Sequence, residues 1–348
     1  MTELYWDKGT TYDLFVSMIV LNQPGNFGLR PSWAAGVRSR LPLAQRQFME
    51  SLAGFFRVPL TFIHHLPEYA KNAGQVAQYL STQDSATLLK ELTFGFDLPE
   101  RVKNTLEEIG SSGHATSAQR AVLQKNYAFG DQTLSEDVTS RLVRAWEDRQ
   151  AFGDAFKIML HSFYEHFFAE EEIRIQPAIE SALQNAMKIA KIVSLPDLLE
   201  DLSHGVSLEK AIRKPKVILA PSFWTSPLII YGSVSNDETL MLFGCRPEDQ
   251  SIIPGEVVPD HLLAVLKALA DPTRLQMLRY LNAEPLSASA LARKLRLRPP
   301  TVTHHLQLLR LAGLVQISLE PEGEKKYTLR EEAVAAAQTI LQKYINEN

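Results

Sequence analysis

Along the first 213 residues, apolar positions recur every three or four places. Leu14, Phe15, Met18, Ile19 and Leu21 fall on one face of a helix over 10–21. Pro31 and Pro42 each suit a first helical turn, where a missing N–H costs nothing, and predict helices over 31–41 and 42–56. Shorter helical stretches follow over 68–92 and 99–109, interrupted by Gly74, Gly95, Gly110 and Gly113. Residues 135–193 read as one or two long helices, jointed in the Phe167–Glu172 run or at Pro177, and Pro196 starts another. The period then shortens. Runs at 216–220, 227–231 and 239–244 are rich in β-branched and aromatic residues and are separated by turn-like segments, which predicts a small antiparallel sheet near 216–244.

Between Arg246 and the proline at 259 stand Pro247, Pro254 and Gly255, with few large apolar side chains. This stretch reads as a linker and divides the chain into domains 1–258 and 259–348. Beyond it, Leu262, Leu263, Leu266, Leu269 and Ala270 line one helical face. Asp271 can cap a second helix that Pro272 opens and that buries Leu275, Leu278 and Leu281. Ser287 caps a short helix over 288–295, with Leu291, Ala292 and Leu295 inside. After the connection Arg296–Arg298, a helix runs from Pro299 to about Ala312, buries Val302, Leu306 and Leu309, and stops at Gly313. Strands at 314–319 and 325–329 enclose the turn 320–324, and a last helix covers 331–344. The predicted fold class is mainly α: a helical N-terminal domain with a small antiparallel sheet, then a C-terminal winged helix-turn-helix.

A chain of 348 residues has room for two domains, and 45% apolar with 22% charged residues is ordinary globular usage. Cys245 is the only cysteine, which excludes an intrachain disulfide and a thiolate-rich metal site. The opening MTELYWDKGT lacks a basic stretch followed by an apolar one, and no apolar run nears the ~20 residues of a membrane span. A soluble, cytoplasmic protein without membrane contact is expected. The net charge of −4 argues against a nucleic-acid partner until it is divided. Residues 260–348 carry 12 basic and 9 acidic side chains, net +3, against 24 and 31 before them, net −7. Between Ser287 and Gly313 there are five basic residues, Arg293, Lys294, Arg296, Arg298 and Arg310, and no acidic one. At a Debye length of about 8 Å this local charge outweighs the average.

That basic stretch includes the predicted second helix of the helix-turn-helix. Outside its buried stripe, Pro300, Thr301, Thr303, His304, Gln307 and Arg310 face outward. Thr301, Thr303 and His304 are candidates for base edges, Gln307 suits adenine, and Arg298 and Arg310 suit phosphate in double-stranded DNA. His305 either bonds a phosphate or packs against the domain. Lys325 and Lys326 would reach the flanking backbone or minor groove, or else form a solvated strand.

The segments LKALADPTRLQMLRYL (266–281) and TVTHHLQLLRLAGLV (301–315) resemble the ArsR-type family of bacterial repressors over about Leu262–Ile345. The resemblance implies a winged helix-turn-helix, a near-palindromic operator, repression, and a homodimer formed through the first and last helices of the domain. Leu263, Leu266, Ala337, Ile340 and Leu341 are the candidate interface residues. The strand region VILAPSFWTSPLIIYG and the later LMLFGCR resemble, more loosely, a subgroup of that family with a long N-terminal domain of uncharacterised function. Its size and the aromatics Phe223, Trp224, Tyr231 and Phe243 motivate sensing of a small-molecule effector or a partner. Those aromatics could equally fill a core.

Metal sensing, known in the family, is not expected: Leu286–Leu291 holds no thiol and the last helix holds neither His nor Asp. His161, Glu165, His166 and Glu170 lie a helical turn apart without HExxH spacing, and His64-His65 reads as a loop pair. No cofactor, no metal and no catalytic constellation are expected. The alternatives to a DNA-binding regulator are a winged domain that docks on protein, and an enzyme domain carrying a DNA-binding address.

Overall fold

The computed structural model describes residues 2–95, 97–127, 133–203, 206–207, 214–226, 228–247, 250–253, 260–319 and 325–346. The predicted linker's residues 254–259, Pro227 at the head of one predicted strand, and the turn 320–324 lie outside these. The chain folds as two compact units, one of residues 1–177, 216–220 and 231–241, the other of 178–215, 221–230 and 242–348. The units are interleaved along the chain, where one boundary near 258 was expected.

The first unit opens with β1 (Glu3–Trp6) and α1 (Thr10–Asn22), followed by α2 (Pro31–Arg38), α3 (Leu43–Ser51), α4 (Leu60–His64), α5 (Ala73–Ser81) and α6 (Ser85–Thr93). Then come α7 (Glu100–Ser112), α8 (Ser117–Asn126), α9 (Glu136–Glu147) and α10 (Arg149–Phe163). A π-helical turn, Tyr164–Phe168, joins α10 to α11 (Ala169–Ile189), so the predicted joint falls slightly early, and Pro177 sits inside α11 without ending it. A further break lies at Asp148, whose carboxylate accepts the Ala151 N–H at 2.9 Å and caps α10. Gly74 does not interrupt a helix. It lies in the first turn of α5, where a Cβ would stand 2.6 Å from the Tyr164 hydroxyl.

Helix α10 packs against α3, α5, α6 and α9. Its Phe156 ring meets Phe15, Phe56 and Phe152 at centroid distances of 6.5, 5.7 and 5.9 Å. At the α10–α6 crossing a Cβ on Gly153 would lie 2.1 Å from the Ser85 carbonyl oxygen, so only glycine allows this approach.

After α12 (Leu195–Leu202) come β2 (Val206–Ser207), β3 (Lys216–Ser222), β4 (Ile230–Ser233) and β5 (Glu238–Gly244). One sheet has the order β1-β3-β5-β4. Its β1 was not predicted and runs parallel to β3, with Glu3 opposite Lys216 and Trp6 opposite Leu219. Phe223, Trp224 and Phe243 are fully buried, whereas Tyr231 is 41% exposed.

The C-terminal part of the second unit contains α13 (Asp260–Leu269), α14 (Pro272–Ala283), β6 (Leu286–Ser287), α15 (Ala288–Leu295), α16 (Pro299–Leu311), β7 (Val315–Leu319), β8 (Lys325–Leu329) and α17 (Glu331–Asn346). β7 and β8 form the predicted antiparallel hairpin, with Val315 opposite Leu329 and Ile317 opposite Tyr327. β6 pairs with β8, and β2 adds to the outer edge of β7 in parallel, giving the order β2-β7-β8-β6.

One apolar core unites Val265, Met277, Leu281, Leu291, Val302, Leu306, Leu309 and Leu314. Two predicted stripes shift. α14 packs on α16 and β8, which buries Met277, Leu278 and Leu281 and leaves Leu275 49% exposed. α13 buries Leu262, Val265 and Ala268 and leaves Leu266 40% exposed. The chain is mainly α, with small sheets and a helix-turn-helix near its C-terminus.

Candidate nucleic-acid interface

The pair α15–α16 is set by local chemistry at each end. The Ser287 hydroxyl accepts the Ala290 N–H at 3.3 Å and caps α15. Pro299 and Pro300 occupy the first turn of α16, where no intrahelical donor is needed. Both helices close with the same two bonds. At α16, Gly313 N–H donates to Arg310 O at 2.9 Å and Leu314 N–H to Leu309 O at 3.0 Å. At α15, Arg296 N–H donates to Arg293 O at 3.3 Å and Leu297 N–H to Ala292 O at 3.0 Å. In each case the residue that donates the first of these bonds is left-handed, with φ +67° at Gly313 and +57° at Arg296. For a side chain with a Cβ that conformation costs roughly 1 kcal/mol.

Behind the pair, Asp271 Oδ1 accepts the Arg274 N–H at 2.9 Å. The Arg274 guanidinium donates to Ala268 O at 2.8 Å and Lys267 O at 2.6 Å, closing the end of α13. These two residues thus join α13 to α14.

Of the candidate contacts, Arg298, Pro300, Thr301, Thr303, His304 and Lys325 are exposed, and Gln307 and Lys326 are half-buried. Arg310, expected to face outward, and His305, expected to bond a phosphate or pack against the domain, are half-buried as well. The His305 Nδ1 is sealed from solvent without a hydrogen-bond partner. Burial lowers the pKa of this imidazole, Asp271 opposes that shift, and Arg274 and His304 add to it. A largely neutral ring turned into the domain fits the packing role better than the phosphate role. Burial also lowers the Arg310 guanidinium, with the Tyr327 hydroxyl of β8 acting the other way.

Arg293, Arg296 and Arg298 are exposed and have no hydrogen-bond or ion-pair partner among the described residues beyond their backbone bonds. Lys294 differs: it pairs with Glu284 at 3.0 Å and lies 5.5 Å from the Tyr280 ring centroid. Residues 269–317 match the model of a helix-turn-helix domain family. The match runs from the last residue of α13 through α16 into β7, and so contains the whole basic stretch. It supports a DNA-binding transcription regulator. No curated protein matches the chain.

Beside this helix-turn-helix, the candidate interface residues Leu263, Ile340 and Leu341 are half-buried and Leu266 is exposed, while the Ala337 side chain lies outside the described residues. α13 and α17 pack together. Ile345, which the sequence reading omitted, is 67% exposed on α17.

His161, His166 and His64, outside the helix-turn-helix, have local partners. His161 Nε2 lies 3.1 Å from Glu165 Oε1, and His166 Nδ1 lies 2.9 Å from Ser162 O. His64 is not in a loop: it ends α4, with its ring nitrogens 3.7 Å from Asp7 and 3.8 Å from Glu238. Among the described residues no three His, Cys, Asp or Glu side chains are placed to hold a metal ion, and no helix is long and apolar enough to cross a membrane.

Arg296 is the functional candidate that sequence reasoning missed. Its signal was legible: a helix that ends one residue before it calls for glycine, and the chain has arginine there.

Proposed function

We propose that this chain is an ArsR-type transcriptional repressor that binds double-stranded DNA as a homodimer. α16 lies in the major groove, with Thr301, Thr303 and His304 at base edges and Gln307 suited to adenine. Arg298 holds backbone phosphate, and Lys325 and Lys326 extend the contact along the flanking duplex. The observation that carries this reading is the exposed row of α16 beside three unpaired arginines, in a stretch without a carboxylate. Half-exposed apolar side chains on α13 and α17 support self-association. A two-fold dimer presents two copies of α16 to half-sites about one helical turn apart, and hence a near-palindromic operator. The remainder of the chain is the regulatory part, answering to a small-molecule effector or a partner and carrying no catalysis of its own.

Footprinting on the DNA upstream of the chain's own gene, repeated across salt concentrations, tests the reading. A protected near-palindrome whose affinity falls steeply with salt is expected. Absence of protection even at low salt would favour a winged domain that docks on protein.

A further inference from the structure

Two helices of one unit end in the same hydrogen-bonded motif and differ at its one conformationally demanding residue. α16 uses Gly313, and α7, which closes by a different bond from Gly113 N–H to Ile109 O, also has glycine at its left-handed residue, with φ +71°. α15 uses Arg296, the only non-glycine with positive φ among the described residues. Glycine accepts this backbone without strain, because it has no Cβ to meet the neighbouring carbonyl.

The side chain of Arg296 returns nothing to the folded domain. It is exposed and has neither a hydrogen bond nor an ion pair among the described residues, although Lys294 two positions earlier finds Glu284. Its place, however, is distinctive. It lies in the turn between α15 and α16, three residues before Pro299 opens α16, with the unpaired Arg293 and Arg298 on either side. A cation held there at a conformational cost, in a stretch free of carboxylates, is placed for an anion that arrives from outside.

We propose that Arg296 binds a backbone phosphate of DNA next to the groove entered by α16. The planar guanidinium presents paired N–H donors that match phosphate oxygens, and the left-handed backbone is retained because it carries that fork to the turn. The assignment rests on the DNA-binding reading and adds to it a contact at the turn itself.

The decisive variant is Arg296→Gly in the full chain, because structural and phosphate-binding roles predict opposite outcomes. Binding is measured by fluorescence anisotropy on a labelled random-sequence duplex of about 30 base pairs, over roughly 20–200 mM KCl. With Arg296 on phosphate, the variant melts at the same temperature or higher. It binds about three- to tenfold more weakly at low salt, and its slope of log K against log salt shrinks by about one. Arg296→Asn, which tolerates the left-handed backbone without charge, follows the glycine variant, whereas Arg296→Lys keeps most of the slope. Unchanged affinity and slope in Arg296→Gly overturn the assignment and leave the DNA-binding reading intact. A lower melting temperature also overturns it, by making the side chain structural. If the unaltered chain binds no duplex at the lowest salt, the DNA-binding reading fails first and takes this assignment with it, which that control alone reveals.

Discussion

In the first unit Asp7 lies buried against Tyr12, which donates to it at 2.8 Å, and Lys71, which donates at 2.6 and 2.7 Å, with His64 close by. Burial alone would raise this carboxyl, but His64, Lys71 and Tyr12 outweigh it and hold the pKa at about 2. In the second unit Arg293, Arg296 and Arg298 stand in solvent with no counter-charge among the described residues. Both groups contain strongly polar side chains, yet they answer to different needs. Charge that is buried and satisfied holds segments together, and Asp7 serves β1, α1 and the approach to α5 at once. Charge that is exposed and unsatisfied does little for the fold and is available to a partner. The contrast therefore sorts residues by purpose more sharply than net charge does.

The contrast can be broken from either side. Phe156→Ala removes the ring on which Phe15, Phe56 and Phe152 converge, and it should lower stability by about 3–5 kcal/mol in urea titrations. Under conditions where the variant stays folded, its DNA affinity should be unchanged. Asp7→Asn should cost roughly 2 kcal/mol at neutral pH. A carboxyl depressed on folding stabilises above its unfolded value of 3.8, and this contribution is lost as pH falls toward about 2. The two proteins should therefore converge in urea midpoint between pH 4 and pH 2, and parallel curves would deny Asp7 its place in the network. His304→Ala and Gln307→Ala should each weaken binding to the footprinted site by about 1–2 kcal/mol while leaving melting unchanged. An equal loss on random duplex would reassign both to phosphate.

How much could be read beforehand depended on how local the determinants are. α16 was legible in full because Pro299, the stripe Val302–Leu306–Leu309 and the stop at Gly313 lie within fifteen residues. β1 was not, since its partner β3 lies about two hundred residues away and none of its four residues is fully buried. β2 and β6 are two residues each, too short for any period to show. Leu275 and Met277 exchanged roles because the buried face of α14 is chosen by α16 and β8 together, and a stripe counted along one helix cannot contain that. In the candidate interface, helix position identified Thr301, Thr303 and His304. The partial burial of His305 and Arg310 comes from packing against the rest of the domain, which a stripe counted along one helix does not contain.

The pairing of β2 with β7 bears on how the DNA-binding part can be handled alone. Val206 and Ser207 lie opposite Ile317 and Ser318, so the outer strand of the hairpin already has a neighbour. A fragment begun at residue 259 keeps every helix of the helix-turn-helix but strips that neighbour away. It bares a row of N–H and C=O groups that will accept a strand from another molecule, the usual route to edge-to-edge aggregation. A fragment meant to stay in solution has to begin ahead of α12, even though its helix-turn-helix starts some seventy residues later.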